Sequence, residues 1–404
     1  VIAGRTGTAP LPAATGTPAA AAGFAAGDEP APPPRLASVD ALRGIDMILI
    51  ISGAHLAMSL RDVMAEGGPV LAAAGELLAR QFEHAPWEGL RFYDLLYPLF
   101  IFIVGVVIPF SLRRSVARHG LWGAHWRVFY RSAVLILLGF LYYGGFSNRW
   151  PDIRLLGVLQ RIGLCYLFAS LLFLHLRLRG LIVSFLVLVV GYWALLTFVP
   201  VPEIGAGPYS ETANLARWID ERFLPGEKLY GAFDPEGLLS TLPAIGTALL
   251  GVFAGLVLQD ARLKPRQRVL WLAGGGVVLL ALGALWSLQF PVIKPIWTSS
   301  YVLVTGGLSA LLLAVFYQIV DVWGCRRWAT IFVWVGANAI LLYVIDELLR
   351  FHRLAARLVG GDIGDFLNAH LAQGAGQLFR NLVGAGIAVA LAGFLYKRAV
   401  LIRV

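Results

Sequence analysis

The residues of this chain that can move a proton or grip an anion are few, and they fall in short blocks. His84 stands in Glu83-His84-Ala85-Pro86-Trp87-Glu88-Gly89, and Asp94 follows shortly after it. An imidazole titrates near neutrality, and a carboxylate that fixes its tautomer equips it as a general base. His84 and Asp94 are the catalytic candidates on that ground, although a histidine in a loop is more often a plain surface residue. His55, Gln160, Arg161, Asn338 and Trp297 are the candidates for substrate contact. Gln160 and Arg161 lie in Gly157-Val158-Leu159-Gln160-Arg161-Ile162-Gly163, where an arginine within an apolar stretch needs a partner or a water-filled cavity. Asn338 has a simple alternative as a hydrogen bond between helices. Trp297 and Lys294 have one as part of an aromatic belt at a membrane surface.

A second group suits a phosphate-bearing cofactor. Asp40, Arg43 and Asp46 are spaced three apart, so Arg43 can pair along a helix with either acid, or can meet an anionic ligand. Arg43, Asp40, Arg113 and Arg114 form the candidate cofactor-binding set, because guanidinium engages phosphate through two parallel bonds. The chain has no Walker loop, no G-x-S-x-G elbow and no H-E-x-x-H pair, so ATP hydrolysis, a serine hydrolase and a zinc protease are unsupported, and no metal is expected. Two cysteines exclude a disulfide scaffold. No repeat relates the two halves, which would have favoured a secondary transporter.

These groups are carried by a chain that water cannot surround. Of 404 residues, 58% are hydrophobic and 14% charged, against roughly 25% charged in a soluble domain. The net charge of +9 would suggest nucleic acid in a soluble protein, but basic cytoplasmic loops produce the same excess in a membrane protein. A lipid bilayer, and no nucleic acid, is the expected surrounding. Apolar stretches near the ~20 residues that cross a bilayer recur about ten times, around 44–60, 92–112, 129–146, 155–175, 181–200, 237–258, 269–289, 298–320, 329–348 and 377–397. None alternates like a barrel strand, so the expected fold is an all-α polytopic bundle of about ten transmembrane helices.

The loops with Arg113, Arg114, Arg118 and Arg127, then Arg177 and Arg179, then Arg262 to Arg268, then Arg326 and Arg327, share one side if both termini are cytoplasmic. Residues 1–34 read as a flexible tail, and 35–404 as the transmembrane domain with outer-side segments 61–91, 201–236 and 349–376. His55, about 18 Å along the first helix from Arg43, belongs near its outer end. Leu215, Trp218, Ile219 and Phe223 are spaced for a short amphipathic helix over the outer face.

The ordered blocks Arg35 to Gly44, His84 to Leu90, Tyr93 to Gly105, Gly157 to Gly163, Asp234 to Thr241, Trp297 to Tyr301 and Gly336 to Ala339 together resemble the heparan-α-glucosaminide N-acetyltransferase family of transmembrane enzymes. The resemblance covers nearly everything after residue 35. It implies transfer of the acetyl group of cytoplasmic acetyl-CoA to the amino group of a glucosamine-type sugar on the outer side. It also implies that His84 is the catalytic histidine, as general base or as an acetylated nucleophile. Asp94 is then the residue expected to orient His84, and Gln160 and Arg161, or Asn338, those expected to meet the carbonyl oxygen as charge develops on it. The family forms dimers, which makes a homodimer an expectation. The composition fits a bacterial inner membrane. The sequence departs from the family where an amide or carboxylate is usual near the end of the first span: Ala54 stands there, with His55 beside it. Two other readings remain at this stage, an O-acetyltransferase of envelope polysaccharide working through His55 and a non-catalytic sugar transporter.

Overall fold

A computed structural model describes residues 36–400 except Asn148, without the side chains of Phe146 and Trp150. The expected tail at 1–34 lies outside the described residues. What is described is helical, with two isolated bridges and no strand. The helices are α1 (Ala37–Ala65), α2 (Pro69–Gln81), α3 (Phe92–Tyr142), α4 (Val158–His175), α5 (Leu178–Phe198), α6 (Leu215–Phe223) and α7 (Thr241–Gln259). They continue with α8 (Pro265–Trp286), α9 (Ser299–Val322), α10 (Thr330–Ala337), α11 (Ala339–Leu349), α12 (Phe351–Val359), α13 (Asp362–His370) and α14 (Ala375–Lys397).

Among the described residues, eight helices are long and apolar enough to cross a membrane, and α10 with α11, bent by 76° at their junction, meets the same length and composition when the two are taken together as one span. The 51-residue α3 is two spans. At ~1.5 Å per residue it would be far longer than a bilayer is thick, and Gly120 breaks it with φ 68° and ψ −178°. Both its ends meet the start of α4. The Tyr97 hydroxyl donates to the Val158 carbonyl, and the Val158 amide lies 3.5 Å from the Tyr143 hydroxyl, so the chain reverses at Gly120. Counted this way the described helices supply the ten apolar stretches of the sequence. The short helix expected around residue 215 is α6.

The bundle is organised around α3 and α7, the most enclosed helices, while α5, α8 and α14 turn residues such as Leu186, Trp271 and Leu382 outward. Lipid is as apolar as leucine, so helices associate through close packing rather than through water exclusion. Gly105 lies against the Ala248 carbonyl, and Gly251 against the Phe102 carbonyl, with no room for a methyl group at either position. With every span crossing once, the loops 66–91, 143–157, 199–240 and 287–298 meet at one end. Their contacts agree: Trp87 Nε1 donates to the Tyr209 carbonyl at 2.8 Å, and the Gly89 amide to the Val292 carbonyl at 2.8 Å.

Gly105→Ala is expected to cost about 1–3 kcal/mol by overpacking. Gly274→Ala, on an open face of α8, is expected to be neutral. Thermal unfolding of the two detergent-solubilised variants checks this, and equal melting temperatures would contradict it.

Candidate active site

Asp94 sits in the first turn of α3, where unpaired backbone amides and the helix dipole favour a negative charge. Its Oδ2 accepts from the amides of Ala85 at 3.0 Å and Arg91 at 3.1 Å, so the loop carrying His84 is wrapped round this carboxylate. His84 Nδ1 lies 2.7 Å from Asp94 Oδ1. The carboxylate is 1% exposed and the His84 side chain 55%, so the pair has a buried anchor and an open imidazole. A ring that donates from Nδ1 to a carboxylate leaves its Nε2 lone pair free to accept a proton.

A third group comes from far along the chain. Lys294 Nζ lies 3.1 Å from Asp94 Oδ1 and 3.0 Å from His84 Nδ1. The segment that presents it is tied by the Thr298 hydroxyl, which accepts from the Ile293 amide and donates to the Pro291 carbonyl, and by the Ser300 hydroxyl on the same carbonyl. A bridge from Glu88 to Ile293 fastens this turn to the His84 loop. The Tyr301 hydroxyl donates to the Asp94 backbone carbonyl at 2.7 Å.

Trp297 connects this cluster to a second one. It is 1% exposed, it holds a left-handed backbone at φ 51°, and its Nε1 donates to the Thr247 hydroxyl at 3.2 Å. It is therefore a packed wall and not a member of an interfacial belt. The Arg161 guanidinium stands 4.9 Å from its ring centroid, a favourable arrangement for a cation over an indole. Arg161 is fully buried and donates to the Pro235 carbonyl and the Ser240 hydroxyl. Its Nε and Nη1, and both polar atoms of the neighbouring Gln160 side chain, have no partner among the described residues.

Beyond Arg161, Arg154 grips Asp234 through two 2.7 Å bonds and Glu236 through a third. Burial pushes Glu236 above the usual carboxylate range. Asp234 faces the same burial, but the Arg154 bonds hold it below that range. Asp220, on α6, accepts the amides of Leu238 and Asp234, and burial pushes it up to about 6.

The structure thus brings His84, Asp94, Trp297 and Arg161 into one connected group, with Gln160 adjacent. His55 makes no contact with that group among the described residues. Its ring packs on His352 at 4.8 Å, its carbonyl accepts from Asn381, and its imidazole has no hydrogen bond among the described residues. Asn338 is buried at the break between α10 and α11 with its amide unpaired among the described residues. At the other end of the bundle, Arg43 donates to Asp40 and to the Gly336 carbonyl, both at 2.6 Å, which ties α1 to α10. Arg113 is exposed and Arg114 half-buried. Lys294, Arg154 and Glu236 are the residues that sequence reasoning did not single out as part of a site. Of these, only the Asp234-Pro235-Glu236-Gly237 block stood out in the sequence.

Two curated proteins are similar to this chain. The heparan-α-glucosaminide N-acetyltransferase of Homo sapiens is 32% identical over 375 residues, which cover 78% of this chain and 53% of that protein. The Mus musculus protein of the same name is 28% identical over 328 residues, covering 66% of this chain and 49% of its own length. The chain therefore spans about half the length of the curated relatives it matches. No family model matches it.

Asp220 gives the fold a pH dependence of known sign. Its folded value of about 6 exceeds the ordinary 3.8, so this group favours the folded state most below about pH 4, and that contribution is lost as pH rises to about 6. Melting temperatures of the wild type, followed by tryptophan fluorescence, are expected to fall across that window relative to those of Asp220→Asn. Parallel curves would contradict the assignment.

Proposed function

Because the chain belongs to the heparan-α-glucosaminide N-acetyltransferase family, we propose that it transfers the acetyl group of acetyl-CoA to the amino group of a glucosamine-type sugar within the membrane. The observation that carries this reading is the His84–Asp94 pair, a buried carboxylate holding a half-exposed imidazole at 2.7 Å. On this reading the sugar enters as its neutral amine, the form with a lone pair for the thioester carbon, and His84 Nε2 takes a proton from that nitrogen as it attacks. The C–N bond forms, the carbonyl oxygen takes negative charge, and the C–S bond then breaks with its electron pair leaving on sulfur. The proton held at Nε2 passes to the departing thiolate. Asp94 keeps Nδ1 as the donor throughout and faces the imidazolium while it lasts. Arg161 supports this scheme with unused donors on Nε and Nη1, which can stabilise a developing oxyanion in surroundings that exclude water.

The sidedness follows from charge. Arg113, Arg114 and Arg127, on either side of the Gly120 break in α3, and Arg262 and Arg266, at the junction of α7 and α8, fall at the end opposite His84 when each span crosses once. Basic loops face the cytoplasm in multi-pass proteins. Acetyl-CoA then approaches from the cytoplasmic end with its phosphates among arginines, while the sugar meets His84 at the outer end of a bacterial inner membrane. The phosphates cannot enter hydrocarbon, whereas the uncharged pantetheine arm can thread between helices.

Purified protein given acetyl-CoA and glucosamine is expected to release CoA and form N-acetylglucosamine. His84→Ala is expected to lower turnover by about two to four orders of magnitude, and Asp94→Asn by a comparable factor through loss of the donor tautomer. Full turnover in His84→Ala with loss in His55→Ala would favour O-acetyl chemistry at His55. Sugar binding with no acetyl transfer would favour a transporter.

A further inference from the structure

Lys294 is a partly buried cation that the reaction above does not use. Its side chain is 18% exposed, and its ammonium completes a triangle with Asp94 Oδ1 and His84 Nδ1 whose edges are 2.7, 3.0 and 3.1 Å. Four donors converge on the two Asp94 oxygens: His84, Lys294 and the amides of Ala85 and Arg91. A carboxylate so surrounded is an acceptor only, so the 2.7 Å contact requires the proton on Nδ1. An Nδ1–H has no lone pair to offer Lys294. The lysine is therefore bonded to Asp94 and merely adjacent to the ring, leaving a fixed positive charge 3.0 Å from the imidazole.

We propose that Lys294 is a positioning residue for acetyl transfer, which occupies the second bond on Asp94 Oδ1 and, by its charge beside the ring, keeps His84 in the neutral Nδ1–H form that accepts a proton at Nε2. This rests on the reading of His84 as the base. An isolated Asp94 carboxylate would favour the imidazolium, since an opposite charge within about 4–6 Å stabilises the charged form. Lys294 cancels that pull while leaving the orienting hydrogen bond in place. Once Nε2 has taken the proton of the amine, two positive charges share one carboxylate, which favours passage of the proton to the departing thiolate.

The other groups facing the ring do not do this work. Tyr93 of α3 packs on it as a neutral ring at 5.0 Å, and in the preceding loop Arg91 is paired with Glu83 at 3.0 Å. Burial lowers Lys294 from its ordinary value, while Asp94 and the more distant Glu236 hold it up.

The test is the pH dependence of kcat/KM for acetyl-CoA at fixed glucosamine, from about pH 5.5 to 9.5, in wild type, Lys294→Met, Lys294→Gln and Lys294→Arg. Titration of the sugar amine contributes equally to all four and cancels in the comparison. The Met and Gln variants are expected to shift the acid limb upward by about one pH unit, with most of the lost rate recovered at high pH. The Arg variant is expected to keep the wild-type limb. An unmoved limb with only a lower plateau in both neutral variants would overturn the proposal. If Lys294→Met fails to elute as a folded species, the Gln and Arg pair decides the question. His84→Ala separates the two levels. If it retains turnover, the base assignment fails; if it is inactive while the Lys294 variants share the wild-type limb, the role of Lys294 alone fails.

Discussion

One buried carboxylate organises the end of this molecule that carries His84. Asp94 is the acceptor for a backbone amide on each side of the Pro86-Trp87 turn, for the imidazole of His84 and for an ammonium two hundred residues away in sequence. Removing one partner from a buried charge typically costs about 3–5 kcal/mol, so these contacts hold one another in place. The position at the start of α3 is part of the arrangement, since the helix N-terminus favours a negative charge where the spanning segment begins. The loop at 83–91 and the turn at 287–298 have no helix of their own to rigidify them, and both are anchored on this group.

Around that anchor the bundle keeps polar side chains where hydrocarbon would normally exclude them. The Arg154, Asp234 and Glu236 cluster is internally paired and fixes the loop that precedes α7. Arg161, one turn into α4, is only half satisfied: one nitrogen is bonded, and two have no partner among the described residues. Paired groups of the first kind set geometry. Groups of the second kind carry unused hydrogen-bonding capacity, the property a site needs if it is to stabilise charge that appears only during a reaction.

How much of this was legible depended on distance along the chain. His84 and Asp94 are close in sequence, and their residue types alone suggest the pairing that the structure shows. The spans were legible because twenty apolar residues have one use, and the 51-residue helix broken at Gly120 carries two of the stretches that the sequence separates. Lys294 was not legible. A lysine at the end of a span reads as an interfacial residue, and only the fold brings it to Asp94 across 200 positions. Arg43 was ambiguous for a similar reason, since its second partner, the Gly336 carbonyl, lies on α10. His55 was counted along a regular helix, but α1 winds more widely over Leu49–Gly53, which changes the face that follows. Helical spacing cannot anticipate such a segment.

The central claim is that acetyl groups cross this bundle from donor to acceptor through the His84 end. The most direct measurement uses sealed proteoliposomes of known orientation, with radiolabelled acetyl-CoA confined to the side of the basic loops and glucosamine to the side of His84. The account predicts labelled N-acetylglucosamine only in the compartment that holds the sugar, and none with His84→Ala. Unmodified glucosamine crossing the membrane, or labelled product appearing on the acetyl-CoA side, would contradict it.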